Sequence, residues 1–453
     1  MSNKTYMFPS SFAQRRLWFL DQLEPNGSTY NMAAAAALTG PLNLTALRQT
    51  LNEIVRRHES LRTTFAEVEG LPFQVVSESL NLELPVSDLR QVSEGEKKAV
   101  AISRVVQEAR RPFDLSRGPL LRASLVRLAE QEHILVVTMH HIISDGWSLK
   151  IFTREMSILY EAFSKGNPTP LDDLPIQYAD YAVWQQEWLQ GEVLEEQLGY
   201  WKKQLQGDLP VLQLPTDRPR PAVMTYRGTR RFFSLPGPLA AAFKELSRNQ
   251  GATVFMSLLA AFNVLLYRYS GQEDITVGVP IANRNQDEIE DLIGFFANTL
   301  VMRTDLSGRP GFACLTQRVR QMALGAYAHQ DLPFEKLVEE IQPDRDMSRS
   351  PLFQVMLAPE GNQIPDLKLS GITVSPLDIE LEVSNADLTL YVEEGEKSLG
   401  GAIQYNTVLF EDTTIARMLA HFQTLIESVV ADPERPISAL AMLTGAERHQ
   451  LLF

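Results

Sequence analysis

Apolar residues recur at helical spacing in some stretches of the chain and at strand spacing in others. The spacing of Leu47, Leu51 and Ile54 predicts an amphipathic helix. Residues 133–143 are apolar and β-branched, which predicts a strand. Because the two patterns alternate throughout, the sequence predicts an α/β (α+β) fold. The predicted helices span residues 14–22, 44–57, 147–163, 239–249, 253–269 and 413–430, and further strands are predicted over 73–76, 121–128 and 274–281.

A proline-rich segment divides the chain. Six prolines lie between Gly207 and Pro238, and proline fixes φ and lacks an N–H donor, so we expect no regular element there. The stretches on either side are each long enough to bury a core. We therefore predict an N-terminal lobe over 1–180, an interlobe helix and crossing segment over 181–238, and a C-terminal lobe over 239–453.

Charge and composition exclude several classes of partner. The 453 residues include 42 basic and 56 acidic side chains, a formal net charge of −14, so nucleic acid and anionic membranes are poor partners. The longest mostly apolar stretch, 255–267, is shorter than the roughly 20 residues of a membrane span. The N-terminus has no secretory signal. A single cysteine, Cys314, fits a reducing compartment, and we predict a packed structural cysteine and a cytoplasmic location.

Candidate chemistry lies where the predicted strand meets the next helix, at residues 140–146, HHIISDG. Successive strand side chains point to opposite faces, so His140 and His141 cannot have the same role. Gly146 allows a tight turn, and the first N–H groups of the helix suit a cap or a developing oxyanion. No metal site is expected, because the spacing matches no ligand pattern. Two structural histidines with Asp145 as a helix cap are the alternative to an acyl-transfer site.

Seven motifs stand in a fixed order along the chain. They are Ser11–Leu20 (SFAQRRLWFL), Arg57–Phe65 (RHESLRTTF), Met139–Ser148 (MHHIISDGWS), Tyr178–Gln185 (YADYAVWQ), Ile293–Thr299 (IGFFANT), His329–Glu335 (HQDLPFE) and Arg345–Leu352 (RDMSRSPL). Together they resemble, over essentially the whole length, the condensation domain of nonribosomal peptide synthetases. Seven motifs in register are very specific, whereas one alone would not be.

The resemblance implies a V-shaped pseudodimer of two chloramphenicol-acetyltransferase-like lobes with a tunnel between them. It implies attack of an acceptor amine on a donor thioester, which forms a peptide bond. The domain itself would bind no cofactor, because both substrates arrive on the 4′-phosphopantetheine of carrier domains. The implied partners are an upstream donor carrier, a downstream acceptor carrier and a neighbouring adenylation domain. On this view the chain is a monomeric domain excised from a larger synthetase of secondary metabolism.

The resemblance also assigns site residues. His141 matches the central histidine, which faces the tunnel and acts on the amine as a general base or as a positioning group. His140 and Asp145 match supporting positions, and we expect Asp145 to pair with Arg284 from the second lobe and so to tie the lobes together. Gly146 matches a position that lines the acceptor channel.

Four further residues in or beside the motifs are candidate channel contacts. For Arg62 and Asn298, a purely structural role is weighted equally with a contact to the channel. Trp147 and Ser148 follow the histidine motif directly, and packing is the alternative for the tryptophan.

The opening motif and the RDMSRSPL stretch most resemble the subtype that joins an L-configured donor to an L-configured acceptor. Three alternatives remain open. One is a starter-type domain that takes a fatty acyl donor, and another is a noncatalytic, condensation-like domain that recruits a partner enzyme. The third is a stand-alone acyltransferase that uses coenzyme A. Asn385 and Ala386 stand where the family usually has a basic residue and Phe, which affects local packing and not the reaction.

Overall fold

The computed structural model describes residues 4–23, 25, 27–342, 346–359, 367–379 and 383–452. Arg345, the first residue of the seventh motif, lies outside the described residues. The elements alternate as the sequence predicts. In chain order they are β1 (Thr5–Pro9), α1 (Phe12–Leu23), β2 (Asn31–Thr39), α2 (Leu44–Arg57), β3 (Thr63–Val68), β4 (Leu71–Ser77), β5 (Val86–Asp88), α3 (Glu94–Arg110), β6 (Leu121–Ala129), β7 (Glu132–His140), α4 (Gly146–Ser164), α5 (Tyr178–Trp188), α6 (Gly191–Gln204), β8 (Gly228–Ser234), α7 (Gly237–Asn249), α8 (Val254–Ser270), β9 (Asp274–Ile281), α9 (Asp287–Glu290), β10 (Asn298–Asp305), α10 (Phe312–Ala328), α11 (Phe334–Ile341), β11 (Val355–Pro359), β12 (Thr373–Leu377), β13 (Leu388–Glu394), β14 (Leu399–Asn406), α12 (Asp412–Ala431) and α13 (Gly445–Leu452).

The predicted bounds of α2 and β9 agree with the structure at both ends. α2 begins after Asn43, whose side-chain oxygen accepts the backbone N–H of Ala46 at 3.1 Å and so caps the helix. Leu47, Leu51 and Ile54 are each at most 1% exposed. The apolar face that the spacing predicts is therefore the face that the protein buries.

The described residues form two compact units. The first comprises the described parts of Met1–Val193, Ala282–Ala297 and Asn362–Leu381, and the second those of Leu194–Ile281, Asn298–Gly361 and Glu382–Phe453. These units differ from the predicted division at 1–180, 181–238 and 239–453. The reason is that two segments from the second half of the chain pack within the first unit.

The first unit is built on a five-stranded sheet of order β12-β2-β7-β6-β5. β7 lies at its centre, antiparallel to β2 and β6, and is buried from His133 to His140. β12, from late in the chain, completes the edge by pairing with β2, so that Val374 lies opposite Leu38. α2 and α4 pack together and contribute to the same apolar core. The buried strand β7 thus brings the histidine motif to one end of this sheet.

The second unit is built on a six-stranded sheet of order β10-β9-β11-β13-β14-β8. The apolar helix α8 is buried without interruption from Met256 to Leu266, which explains why its sequence has almost no polar face. It packs against α10 and α12 in the core of this unit.

The proline-rich segment belongs entirely to the second unit. Residues 207–226 form no helix or strand, as the prolines predict. β8 and the start of α7 nevertheless lie within the segment. Pro238 occupies the first turn of α7, where the missing N–H costs nothing. The expectation that no regular element enters this segment was therefore wrong.

Cys314 is exposed, which corrects the prediction of a packed cysteine. It lies on α10, whose buried face includes Phe312, Leu315 and Val319. Cys314 lies off that face.

No single helix among the described residues is both long and apolar enough to cross a membrane. Among the described helices, only α7 and α8 taken together reach that length and hydropathy, and the two are bent by 104° at the break between them.

Candidate active site

The histidine motif forms a tight turn between β7 and α4. β7 ends at His140, and residues His141–Ile143 form a 3-10 turn, whereas the sequence predicted a strand to residue 143. The reason is local: Nδ1 of His140 accepts the backbone N–H of Ile142 at 3.1 Å, which caps the turn and ends the strand. The backbone N–H of His141 donates to the carbonyl of Tyr30 at 2.8 Å. Strand alternation therefore does not set the direction of the His141 side chain.

His140 is a structural residue. It is 4% exposed and packs near the rings of Tyr30 and Phe113. Burial, and secondarily the neighbouring His141, lowers the pKa of His140 to about 3. The imidazole is therefore neutral at pH 7, and the lone pair on its Nδ1 accepts the backbone N–H of Ile142.

His141 has the geometry of a proton acceptor. Its Nδ1 lies 2.8 Å from the carbonyl oxygen of Ser144. Because a carbonyl can only accept, Nδ1 has the proton and Nε2 has the lone pair. Burial lowers the pKa of the half-buried His141 although Asp145 opposes the shift. At neutral pH the ring therefore presents an unprotonated Nε2.

The Phe295 ring packs edge-on against the His141 imidazole, with 4.8 Å between the ring centroids and 66° between their planes. Phe295 comes from the segment 282–297, more than a hundred residues along the chain. Nothing in the spacing of the histidine motif predicts this contact. The only sequence signal that could have pointed to this contact is that both residues lie in motifs of the series, His141 in the third and Phe295 in the fifth.

Asp145 anchors the start of α4. It is 2% exposed, and its Oδ1 accepts the backbone N–H and the hydroxyl of Ser148, each at 2.8 Å. Nη2 of Arg284 lies 3.3 Å from the same oxygen, and the backbone N–H of Phe296 donates to Oδ2 at 3.1 Å. The carboxylate is therefore both a helix cap, as in the structural alternative, and the partner of a buried guanidinium, as the resemblance implies.

The Arg284 side chain is only 1% exposed and is held on three sides. Its Nη1 donates to the carbonyl oxygens of Ile289 and Leu292 at 2.5 and 2.7 Å, and its guanidinium lies 4.0 Å from the centroid of the Phe296 ring. The predicted pairing with Asp145 is present. The prediction that this pair ties two lobes together was wrong, because both residues belong to the first unit.

Side chains from other elements hold the backbone of residues 293–296. We call these four residues the backbone clamp. Ser148 is fully buried and bonds both the N–H and the carbonyl of the same clamp residue. The contacts are His58 Nδ1 with Ile293 N (3.3 Å), Ser60 Oγ with Ile293 O (2.7 Å), Ser148 Oγ with Gly294 N (3.1 Å) and Gly294 O (2.9 Å), Tyr178 Oη with Phe295 O (2.6 Å), and Asp145 Oδ2 with Phe296 N (3.1 Å).

A buried ion-pair cluster supports this clamp. Glu155 on α4 lies 3.1 Å from Arg57 and 3.1 Å from Nε2 of His58, and all three side chains are at most 5% exposed. Burial raises the pKa of Glu155, but the contacts with His58 and Arg57 outweigh it, so that the pKa is lowered overall. Because Nδ1 of His58 accepts from Ile293, its Nε2 has the proton that it donates to Glu155. His58 and Ser60 of the second motif thus hold Ile293, the first residue of the backbone clamp.

Two of the candidate channel contacts have structural partners. Arg62 donates to the carbonyl of Ser77 and pairs with Glu59 at 3.2 Å. Asn298 belongs to the second unit, is 8% exposed, and uses its amide and its carbonyl in hydrogen bonds to backbone groups between Gln330 and Phe334. These contacts support the structural alternative for both residues, and a channel contact stays a prediction.

The other two candidates differ from each other. Ser148 is fully buried in the contacts with Asp145 and the backbone clamp, which corrects its prediction as a channel contact. Trp147 is 36% exposed and donates its indole N–H to the carbonyl of Glu290 at 2.9 Å, so its outer surface remains accessible. Gly146, the first residue of α4, stays a predicted channel position.

Gln14 is a supporting residue that spacing alone did not indicate. It is 1% exposed, and its Nε2 donates to the carbonyl of Ile142 and to Oε1 of Gln74, each at 3.2 Å. Its own Oε1 accepts the N–H of Ser11 at 3.0 Å. The first motif therefore holds the turn that includes His141.

Across the described part of the chain, no group of three or more His, Cys, Asp or Glu side chains could hold a metal ion.

The chain matches the family model described as "Condensation domain" over residues 4–452. Linear gramicidin synthase subunits C and B of Brevibacillus parabrevis are 50% and 52% identical to it, each over 98% of the chain. The chain spans 6% and 9% of the length of these two relatives.

Solved structures agree with this match. The X-domain from teicoplanin biosynthesis superimposes with a TM-score of 0.88 and is 30% identical, covering 96% of this chain and 97% of that one. A structure of the X-domain with OxyB gives the same TM-score over 98% of each chain. A four-domain nonribosomal peptide synthetase bound to AMP and glycine also gives 0.88, over 99% of this chain and 35% of that one, at 24% identity.

Proposed function

Because this chain belongs to the condensation-domain family of nonribosomal peptide synthetases, we propose that it joins a donor acyl group to an acceptor amine as a peptide bond. Its fold is the family's α/β fold, with chloramphenicol-acetyltransferase-like units. The observation that supports the proposal best is the neutral His141, in the turn before α4, whose Nε2 lone pair accepts no hydrogen bond from the residues that the structure describes.

In the proposed reaction the acceptor's amine nitrogen attacks the carbonyl carbon of the donor thioester. The C–N bond forms, the C–S bond breaks, and one amine proton passes by way of Nε2 of His141 to the leaving thiolate. The thioester arrives activated, so the protein needs only to orient the reactants and to move this proton. Asp145 and Arg284 support the turn and do not touch the reacting atoms.

We further propose that both substrates arrive on the phosphopantetheine arms of carrier domains, an upstream donor carrier and a downstream acceptor carrier, beside an adenylation domain. An L-configured donor and an L-configured acceptor are the expected pair. A monomeric state and a cytoplasmic location remain predictions.

The test is a reconstituted reaction with two separately loaded carrier domains, followed by intact mass spectrometry. The acceptor carrier should gain the mass of the donor residue when all components are present, and should not when the donor carrier is omitted. His141→Ala should abolish most of this gain, while His449→Ala, which removes an exposed histidine on α13, should leave it unchanged. No transfer by the wild-type protein with any loaded pair would contradict the proposal.

A recruitment role is the second candidate, because the X-domain, whose structure with OxyB is known, is 30% identical to this chain. The intact His140, His141, Asp145 and Gly146 favour catalysis over recruitment alone. The reconstituted reaction separates the two, since a domain that only recruits would transfer no donor.

A fatty acyl donor is also a candidate, because the first unit contains an apolar cavity of about 330 Å³. It lies between the sheet and α4, and its walls include Ala35, Val137, Phe152 and Met156. Apart from Thr153 and Lys368, the lining residues are apolar. A panel of aminoacyl and fatty acyl donors on the same carrier would identify the accepted class. Free coenzyme A thioesters supplied without carriers would test the stand-alone acyltransferase.

A further inference from the structure

We propose that Phe295 is a positioning residue that fixes the orientation of the His141 ring, and that the backbone clamp exists to hold Phe295 in place. The inference rests on the proposed function of His141. Phe295 contacts His141 and does not contact the reacting atoms.

The His141 ring has one hydrogen bond among the described residues, from Nδ1 to the carbonyl of Ser144. A single hydrogen bond holds one edge of a ring and allows the plane to pivot about it. The edge-on Phe295 ring, 4.8 Å away, blocks that pivot and covers part of the imidazole. Together the two contacts hold the ring in one orientation, so that Nε2 points in a fixed direction.

A side chain can orient another only if its own backbone is fixed. Phe295 meets this condition because its carbonyl accepts the hydroxyl of Tyr178 at 2.6 Å, and the residues on either side bond to Ser148 and Asp145. These three partners lie on helices α4 and α5 or at the cap of α4, and each is at most 2% exposed. Phe295 itself is only half-buried. Such complete fixing of a half-buried residue indicates that its position matters beyond core packing.

Removing the ring has two separable consequences. The imidazole gains freedom, so that fewer bound complexes have Nε2 aligned with the amine. Water also reaches the imidazole, so that the desolvation that lowers the pKa of His141 is relieved and this pKa rises toward its ordinary value. Loss of packing elsewhere in the same core would produce neither effect.

The experiment compares Phe295→Leu and Phe295→Ala with Phe65→Leu, a matched loss of a buried ring in the core of the same unit. Phe295→Leu keeps most of the volume in case the alanine variant fails to fold. The first readout is nitrogen NMR of ¹⁵N-histidine-labelled protein, with the His141 signals assigned by comparison with His141→Ala. The second is kcat and KM for amide formation with loaded carriers.

We expect both Phe295 variants to raise the pKa of His141 and to lower kcat by roughly ten- to a hundredfold, with little change in KM for the carriers. Phe65→Leu should lower the melting temperature and leave both readouts unchanged. An unchanged His141 titration, or an unchanged kcat with a shifted titration while His141→Ala is slow, would overturn the inference. The NMR readout needs no activity. It therefore tests the contact even if His141 proves dispensable, an outcome that would count against the proposed function and not against the geometry.

Discussion

At the scale of single residues, two adjacent histidines have different protonation chemistry because their surroundings differ. His140 is enclosed by aromatic rings and keeps a pKa of about 3, whereas His141 is half-buried and turns Nδ1 toward a carbonyl. The sequence alone predicted that the two imidazoles have separate roles, and the assignment of His141 as the acting residue stays a prediction from the family resemblance. The sequence could not predict the tautomer or the Phe295 contact, because both depend on backbone positions that only the folded chain defines.

His140 makes the protein sensitive to acid. The pKa of a histidine in an unfolded chain is about 6.5, so between pH 6.5 and 3 the unfolded state binds a proton that folded His140 does not, and stability falls as pH falls. Between pH 7 and pH 5, the free energy of unfolding of His140→Asn should fall by about 2 kcal/mol less than that of the wild type. Urea titrations at the two pH values measure this difference. Equal losses would mean that His140 is not buried in its neutral form.

At the scale of elements, the site depends on one helix start and one irregular segment. The sequence predicted α4 from local spacing alone and gave the cap at Asp145 as part of an alternative interpretation, and the structure has both the helix and the cap. The backbone clamp could not be predicted in this way, because residues 293–296 form no helix or strand. Its hydrogen bonds join side chains that are up to 235 residues distant in the chain.

The pair of Asp145 and Arg284 should be important for stability. Arg284→Ala leaves a buried carboxylate without its partner, and we expect a loss of about 3–5 kcal/mol. The matched control is Arg154→Ala, because Arg154 pairs with Asp291 at 2.7 Å with both side chains more than half exposed. The control should cost less than about 1 kcal/mol. Equal melting temperatures for the two variants would contradict a buried pair.

Gly294 is required by close packing. A Cβ at this position would lie 2.0 Å from Cδ2 of the buried Tyr178 ring, so Gly294→Ala must displace the ring or the backbone clamp. We expect a loss of about 1–3 kcal/mol or more in the free energy of unfolding. Gly95→Ala on α3, where no atom lies within 4 Å of the added Cβ, should be neutral or stabilising. Chemical denaturation of both variants provides the comparison, and equal stabilities would disprove the steric argument.

At the scale of the whole molecule, the motif series predicted the family, and the family model confirms it over residues 4–452. Hydrophobic periodicity predicted several of the elements, among them α2 and α4, each of which buries an apolar face. The composition of the compact units was not predictable, because β12 joins β2 across more than 300 residues, and residues 282–297 pack with the first unit. Proline content located an irregular segment correctly. It did not locate the boundary between the units.

The most direct test of the central claim is the single-turnover rate of amide formation by wild type and His141→Ala, measured with loaded carriers from pH 6 to pH 9. If Nε2 of His141 accepts the amine proton, the variant should be slower by roughly 10²–10⁴ at pH 7. Both rates should rise toward pH 8, because more of an α-amine with a pKa near 8 is then neutral and able to attack, and the deficit of the variant should persist. Equal rates for the two proteins at every pH would contradict the claim.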